Sequence, residues 1–122
     1  MLRLISGVVI GVVAWVAVVG AVAFLLRAVA PDVNAAMAAH TTTIAMAERL
    51  ALSFLGSLVG GYLAMLAARD SRAPLLAGVL LLLGWGTFHV MVIWHQFPLW
   101  YHLTFFVSLP LLSILGGRLA KR

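Results

Sequence analysis

Histidines are the residues of this chain best suited to chemistry, and His89 lies deepest within an apolar segment. It comes five residues before Trp94, and helical spacing puts it on one face with Leu82, Trp85 and Gly86. A neutral imidazole in such a place is a good axial ligand for a haem or a chlorophyll-type pigment. The alternative is a buried histidine that forms a hydrogen bond to a neighbouring helix.

A second group of candidate ligands is expected at one surface of the molecule. Its members are His40, Glu48, His95 and His102. The last two flank one short turn and could converge, and two or three imidazoles with a carboxylate would suit zinc or copper. The alternative is a set of unrelated surface histidines, because no two histidines stand one helical turn apart.

The other polar residues form no recognisable catalytic arrangement. The chain has three acidic residues and no cysteine. We find no nucleophile beside a base, no paired carboxylates and no glycine-rich phosphate loop. We therefore predict a protein that is not an enzyme. We also expect no cofactor, with a haem or chlorophyll-type pigment at His89 as the alternative.

The elements that position these residues must lie in lipid. The hydrophobic fraction is 65%, against ~45–50% in soluble domains, and charged residues make up 9%, against ~25%. A chain of 122 residues cannot hide so much apolar surface, because small domains bury only ~60–70% of it. The net charge of +5 comes from single basic residues beside apolar segments and a cluster at the C-terminal end, not from a basic stripe, so we expect no nucleic-acid partner.

Four apolar segments predict an all-α fold, a four-transmembrane-helix bundle in a single domain of residues 1–122. About 20 apolar residues in a helix cross the ~30 Å hydrocarbon core of a bilayer. The predicted spans cover residues 4–26, 50–68, 75–94 and 99–117.

The predicted outer loop, residues 27–49, is the only sizeable polar stretch. Within it Asp32 can cap a short helix over residues 33–39. Alternatively, the second long helix begins near Thr43 and protrudes before it enters the membrane.

The basic residues predict the orientation of the chain, since cytoplasmic loops of membrane proteins are enriched in lysine and arginine. With the N-terminus inside, the cytoplasmic side receives Arg3, Arg69, Arg72, Arg118, Lys121 and Arg122. The opposite side receives Arg27 and Arg49. We therefore expect both termini in the cytoplasm and a multi-pass protein in a bacterial inner membrane.

Small residues on the second span predict a surface of close helix packing, because lipid provides no hydrophobic force between helices. They are Ser53, Gly56, Ser57, Gly60, Gly61 and Ala64. This surface either joins the four helices of one chain or docks a neighbouring subunit.

The second half of the chain resembles small bacterial four-span integral membrane proteins of uncharacterised function. The resemblance covers roughly residues 50–119. It is carried by the stretches LVGGYLA at 58–64, AAR at 67–69, PLWYH at 98–102, then Pro110 and LGGRL at 115–119. It implies the same four-span topology and implies no activity.

Three functions are consistent with these patterns. The leading one is an accessory or structural subunit of a larger membrane complex of the respiratory or photosynthetic kind, with other membrane subunits or a second copy as partners. The second is a small homo-oligomeric channel or carrier. The third is a haem-, pigment- or metal-binding membrane protein that uses its histidines.

Overall fold

The computed structural model describes residues 1–39 and 42–121, and nearly all of them are helical. The described residues form five α-helices: α1 (Leu2–Val29), α2 (Pro31–Ala39), α3 (Thr43–Ala68), α4 (Arg72–Phe88) and α5 (Leu99–Ala120). Helix α4 continues through one π-helical turn (His89–Ile93) and one 3-10 turn (Trp94–Gln96). This part of the chain contains no strand, and the predicted all-α fold is confirmed.

Four of these helices are long and apolar enough to cross a membrane, as predicted. They are α1, α3, α5 and the continuous stretch from α4 to Gln96. The helices extend beyond the apolar segments, most of all at α3, which begins at Thr43. The Thr42 side chain accepts a hydrogen bond from the Ala45 amide at 3.1 Å, so an N-cap starts the helix early.

The short helix α2 begins at Pro31, two residues before the predicted start at residue 33. Asp32 therefore lies in the first turn rather than at the N-cap, which corrects the sequence expectation. The physical reason is that the proline ring fixes a φ angle suited to the first helical position and needs no hydrogen-bond partner there.

Helix α3 lies in the middle of the bundle, where it packs against α1 on one side and α5 on the other. Glycines let the backbones approach. A Cβ atom at Gly60 would lie 2.7 Å from the Gly11 carbonyl oxygen, and one at Gly61 would overlap the backbone of Ser113. Helix α4 closes the bundle against α5 and α1.

All six small residues of the predicted packing surface are buried inside this single chain: Ser53, Gly56, Ser57, Gly60, Gly61 and Ala64. The surface thus joins helices of one chain.

The two ends of the bundle differ in the connections they carry. The start of α1, the end of α5 and the α3–α4 connection lie at one end, called here the terminal end. The α1–α2 connection, the start of α3 and the turn between α4 and α5 lie at the other, the loop end. The candidate functional residues are found toward the loop end.

Candidate functional site

Two histidines from adjacent helices form a hydrogen-bonded pair inside the bundle. His89 Nδ1 and His102 Nδ1 are 2.8 Å apart, and the two residues are 3% and 0% exposed. The other ring nitrogen of His102, Nε2, lies 3.0 Å from the Trp94 carbonyl oxygen. Both nitrogens of His102 are therefore engaged.

These contacts determine the protonation of the neutral pair. A carbonyl oxygen only accepts, so His102 Nε2 carries a hydrogen and donates it to Trp94. In a neutral imidazole the other nitrogen is then an acceptor, so His89 Nδ1 donates to His102 Nδ1. This leaves His89 Nε2 with an available lone pair, and it has no hydrogen-bond partner among the described residues.

Aromatic rings hold the pair in place. The His89 ring stacks on Phe105 with centroids 4.3 Å apart, and the His102 ring stacks on Trp94 at 4.5 Å. The π-helical turn begins at His89 and carries the chain to Trp94. Single π-helical turns are common at functional sites because they re-aim side chains within a helix.

His89 lines a cavity of about 270 Å³, and each of the five described α-helices contributes to its wall. We call it the head cavity. Its walls include the rings of Trp15, Trp85, Phe88 and Phe105. Trp15 is fixed there because its Nε1 donates to Ser57 Oγ at 3.2 Å, and its ring packs on Trp85 with centroids 5.4 Å apart.

A cationic group lines the same cavity. Arg49 Nε donates to the Tyr101 hydroxyl at 3.2 Å, and the guanidinium lies 5.2 Å from the centroid of the Phe97 ring, within cation–π range. Tyr101 also lines the head cavity, and its own hydroxyl hydrogen remains available to donate. Arginine keeps its charge inside proteins, so a cationic side chain forms part of the cavity wall.

Ser53 adds a polar group that the protein does not use. Its side chain lines the head cavity and is 4% exposed. Its Oγ is buried without a hydrogen-bond partner among the described residues. A buried hydroxyl left unpaired costs about 1–3 kcal/mol, so Ser53 is an energetically unfavourable feature of the cavity wall.

The predicted ligand residues are distributed differently from the sequence expectation. His89 and His102 meet each other, whereas His95 is exposed in the turn and Glu48 is half-buried on α3 outside the cavity lining. His40 lies outside the described residues. Within the described residues no group of three or more histidine, aspartate or glutamate side chains could hold a metal ion.

Sequence reasoning missed Arg49, Ser53 and Tyr101 as residues of one site. The extent of the apolar segment predicts Arg49 in the outer loop, but α3 begins at Thr43, which confirms the alternative prediction and puts Arg49 on the helix. The sequence pattern marks Ser53 only as a packing residue. The available signal was helical spacing, since Arg49 and Ser53 are four residues apart and share one face.

Comparison of the chain with protein-family models, with curated proteins and with solved structures finds no match. Function must therefore be argued from the geometry of the site.

Proposed function

We propose that this chain is a non-enzymatic membrane protein that binds a small lipophilic molecule whose head group carries hydrogen-bonding oxygen atoms. The head cavity is the observation that supports this function. Polar side chains from α2, α3, α5 and the π-helical turn converge on a space otherwise walled by aromatic and aliphatic side chains. Small-molecule sites in proteins generally have this character, mostly apolar with a few convergent polar groups.

The size of the cavity bears on the haem and pigment hypothesis. Its volume of about 270 Å³ lies just below the ~300–1,000 Å³ of typical ligand pockets. A single ring fits this space better than a tetrapyrrole macrocycle does. A visible absorption band that disappears in His89→Ala would favour the pigment instead.

Membership of a larger membrane complex stays a second proposal, as does a homo-oligomeric channel or carrier. The small residues that motivated a docking surface pack inside one chain, so they do not support either. Binding of a lipophilic molecule is compatible with a role as a subunit, and mild-detergent purification with mass measurement would reveal any partner.

The binding proposal is tested with a small phenol that has no tail. Purified protein in mild detergent is titrated with para-cresol by isothermal titration calorimetry. We expect saturable binding to the wild-type chain. Ser53→Leu should abolish it, because the larger side chain fills the cavity from its wall.

Thr104→Leu is the matched control. Thr104 is exposed on α5 and does not line the head cavity. This substitution also replaces a hydroxyl side chain by leucine but leaves the cavity open, so para-cresol binding should be unchanged. Tyr101→Phe should weaken binding severalfold, since it removes one hydroxyl and keeps the ring. Absence of saturable binding to the wild-type chain, or equal binding by Ser53→Leu, would overturn the proposal.

A further inference from the structure

A groove of about 310 Å³ runs along the outside of the bundle between α1 and α4. We call it the side groove. It is lined by Val12 and Val16 of α1 and by five residues of α4: Leu80, Leu81, Gly84, Trp85 and Phe88. Gly84 is exposed. A Cβ atom at Gly84 would meet no atom within 4 Å, so the groove is open at this point.

The side groove and the head cavity share two wall residues. Trp85 and Phe88 line both spaces, and their rings meet edge to face with centroids 5.7 Å apart. The two spaces are therefore neighbours, with Trp85 and Phe88 between them. From Phe88 to Leu80 the groove follows about 12 Å of helix toward the middle of the bundle, at ~1.5 Å per residue. A tail that leaves the cavity past these two rings would enter the groove.

The groove is apolar, with valine and leucine along most of its length. Lipid tails are as apolar as leucine side chains. A hydrocarbon tail therefore has about the same free energy in the groove as among the tails of the bilayer. The groove therefore accommodates a tail without adding affinity. The affinity and specificity for the ligand therefore come from its head group.

The head cavity specifies that head group further. His89 Nε2 is an acceptor in the neutral pair, so it needs a donor such as a hydroxyl group. The Tyr101 hydroxyl can donate to an oxygen lone pair on the ligand. Trp15 and Phe105 are flat walls against which an aromatic ring packs well.

We infer that the ligand is a single-tailed lipid with a hydroxyl-bearing aromatic ring, of the phenol or hydroquinone class. Its ring occupies the head cavity, and its tail lies in the side groove between α1 and α4. This inference rests on the proposed function and adds the class of ligand and the path of its tail.

The test compares para-cresol with para-octylphenol, which differ only in the tail. Binding is measured in detergent micelles. The concentration of each phenol is expressed as its mole fraction within the micelle, so that differences in partitioning between water and micelle cancel. The wild-type chain should bind the two equally. Gly84→Leu should bind para-cresol like the wild type and para-octylphenol about tenfold more weakly, because the added side chain fills the groove.

Gly20→Leu is the matched control, because Gly20 is also exposed with no atom within 4 Å of a Cβ and lines neither space. It should leave both affinities unchanged. Equal effects of the two leucine variants on para-octylphenol would overturn the tail path while leaving the proposed function intact. Failure of para-cresol to bind the wild type would overturn the proposed function as well.

The hydroxyl requirement is tested without any mutation, by replacing para-octylphenol with its methyl ether, para-octylanisole. The ether keeps the oxygen acceptor and loses the donor to His89. We expect binding about tenfold weaker, the equivalent of about 1.4 kcal/mol. Equal binding of the phenol and the ether would overturn the assignment of a hydroxyl-bearing head group.

Discussion

His89 and His102 share a hydrogen bond between their Nδ1 atoms, 2.8 Å apart, although thirteen residues and a tight turn separate them in sequence. Because of this bond, the tautomer of one imidazole determines the tautomer of the other. His102 donates to the Trp94 carbonyl and accepts the His89 hydrogen bond, which leaves the second nitrogen of His89 with a lone pair. The pair thus links the packing of α4 against α5 to the chemistry of the head cavity.

Loss of the pair should destabilise the fold. His102→Leu leaves the His89 Nδ1 hydrogen and the Trp94 carbonyl without partners. Hydrogen bonds between membrane helices average only about 0.6 kcal/mol, but a buried unpaired group costs about 1–3 kcal/mol. We therefore expect a loss of about 1–3 kcal/mol in unfolding free energy, measured by denaturant titration in detergent.

His95→Leu is the control for this prediction, since His95 is exposed in the same turn region. Surface changes of this kind usually alter stability by no more than about 0.5 kcal/mol. Equal effects of the two substitutions would contradict a structural role for the pair.

Close packing of α3 against α5 should make Gly61 intolerant of even one added carbon. A Cβ atom there would overlap the Ser113 backbone, which cannot move without separating the helices. Gly61→Ala should cost about 1–3 kcal/mol of unfolding free energy, the usual range for overpacking. The same measurement on Gly20→Ala should show no loss, because no atom lies within 4 Å of that position and alanine favours helix. A Gly61→Ala protein as stable as the wild type would contradict the packing described here.

The α3–α4 connection should respond to acid. The hydrogen bond from the Arg72 side chain, Nη2 to Oδ2 at 2.8 Å, and that from the Arg72 amide lower the pKa of Asp70 from 3.8 to about 2. A depressed pKa means that the ionised carboxylate stabilises the fold at pH values above 3.8, and that this contribution is lost as pH falls toward 2.

The unfolding midpoints of the wild type and of Asp70→Asn are measured from pH 7 down to pH 2. The two midpoints should therefore converge over the lowest two pH units. The difference at pH 7 should be small and reduced by salt, because the ion pair is exposed. A constant difference across the whole pH range would contradict the role assigned to the carboxylate.

The predicted orientation can be tested by labelling, because the sequence contains no cysteine. Ser71→Cys places a thiol on an exposed position of the terminal end, and Gln96→Cys places one on the loop end. In intact bacterial cells a membrane-impermeant maleimide should label the thiol at position 96 and reach position 71 only after lysis. The reverse pattern would place the termini outside and contradict the charge-based prediction.

The sequence by itself determined the four long helices. Apolar segments of this length with so few charges can satisfy their backbone hydrogen bonds in lipid only as helices, so the element type and number followed from composition. The small residues of α3 were also recognisable as a packing surface, because only small side chains let membrane helices approach closely.

Only the tertiary structure decided which side chains meet. In a soluble helix the apolar stripe shows which face points inward, but in lipid every face is apolar and that signal is lost. The sequence therefore could not show that His89 faces His102, although both lie close to the turn between α4 and α5. The sequence also left two starts open for the second long helix, one near Leu50 and one near Thr43. In the structure the helix begins at the Thr42 cap, which brings Arg49 to the cavity wall beside Tyr101.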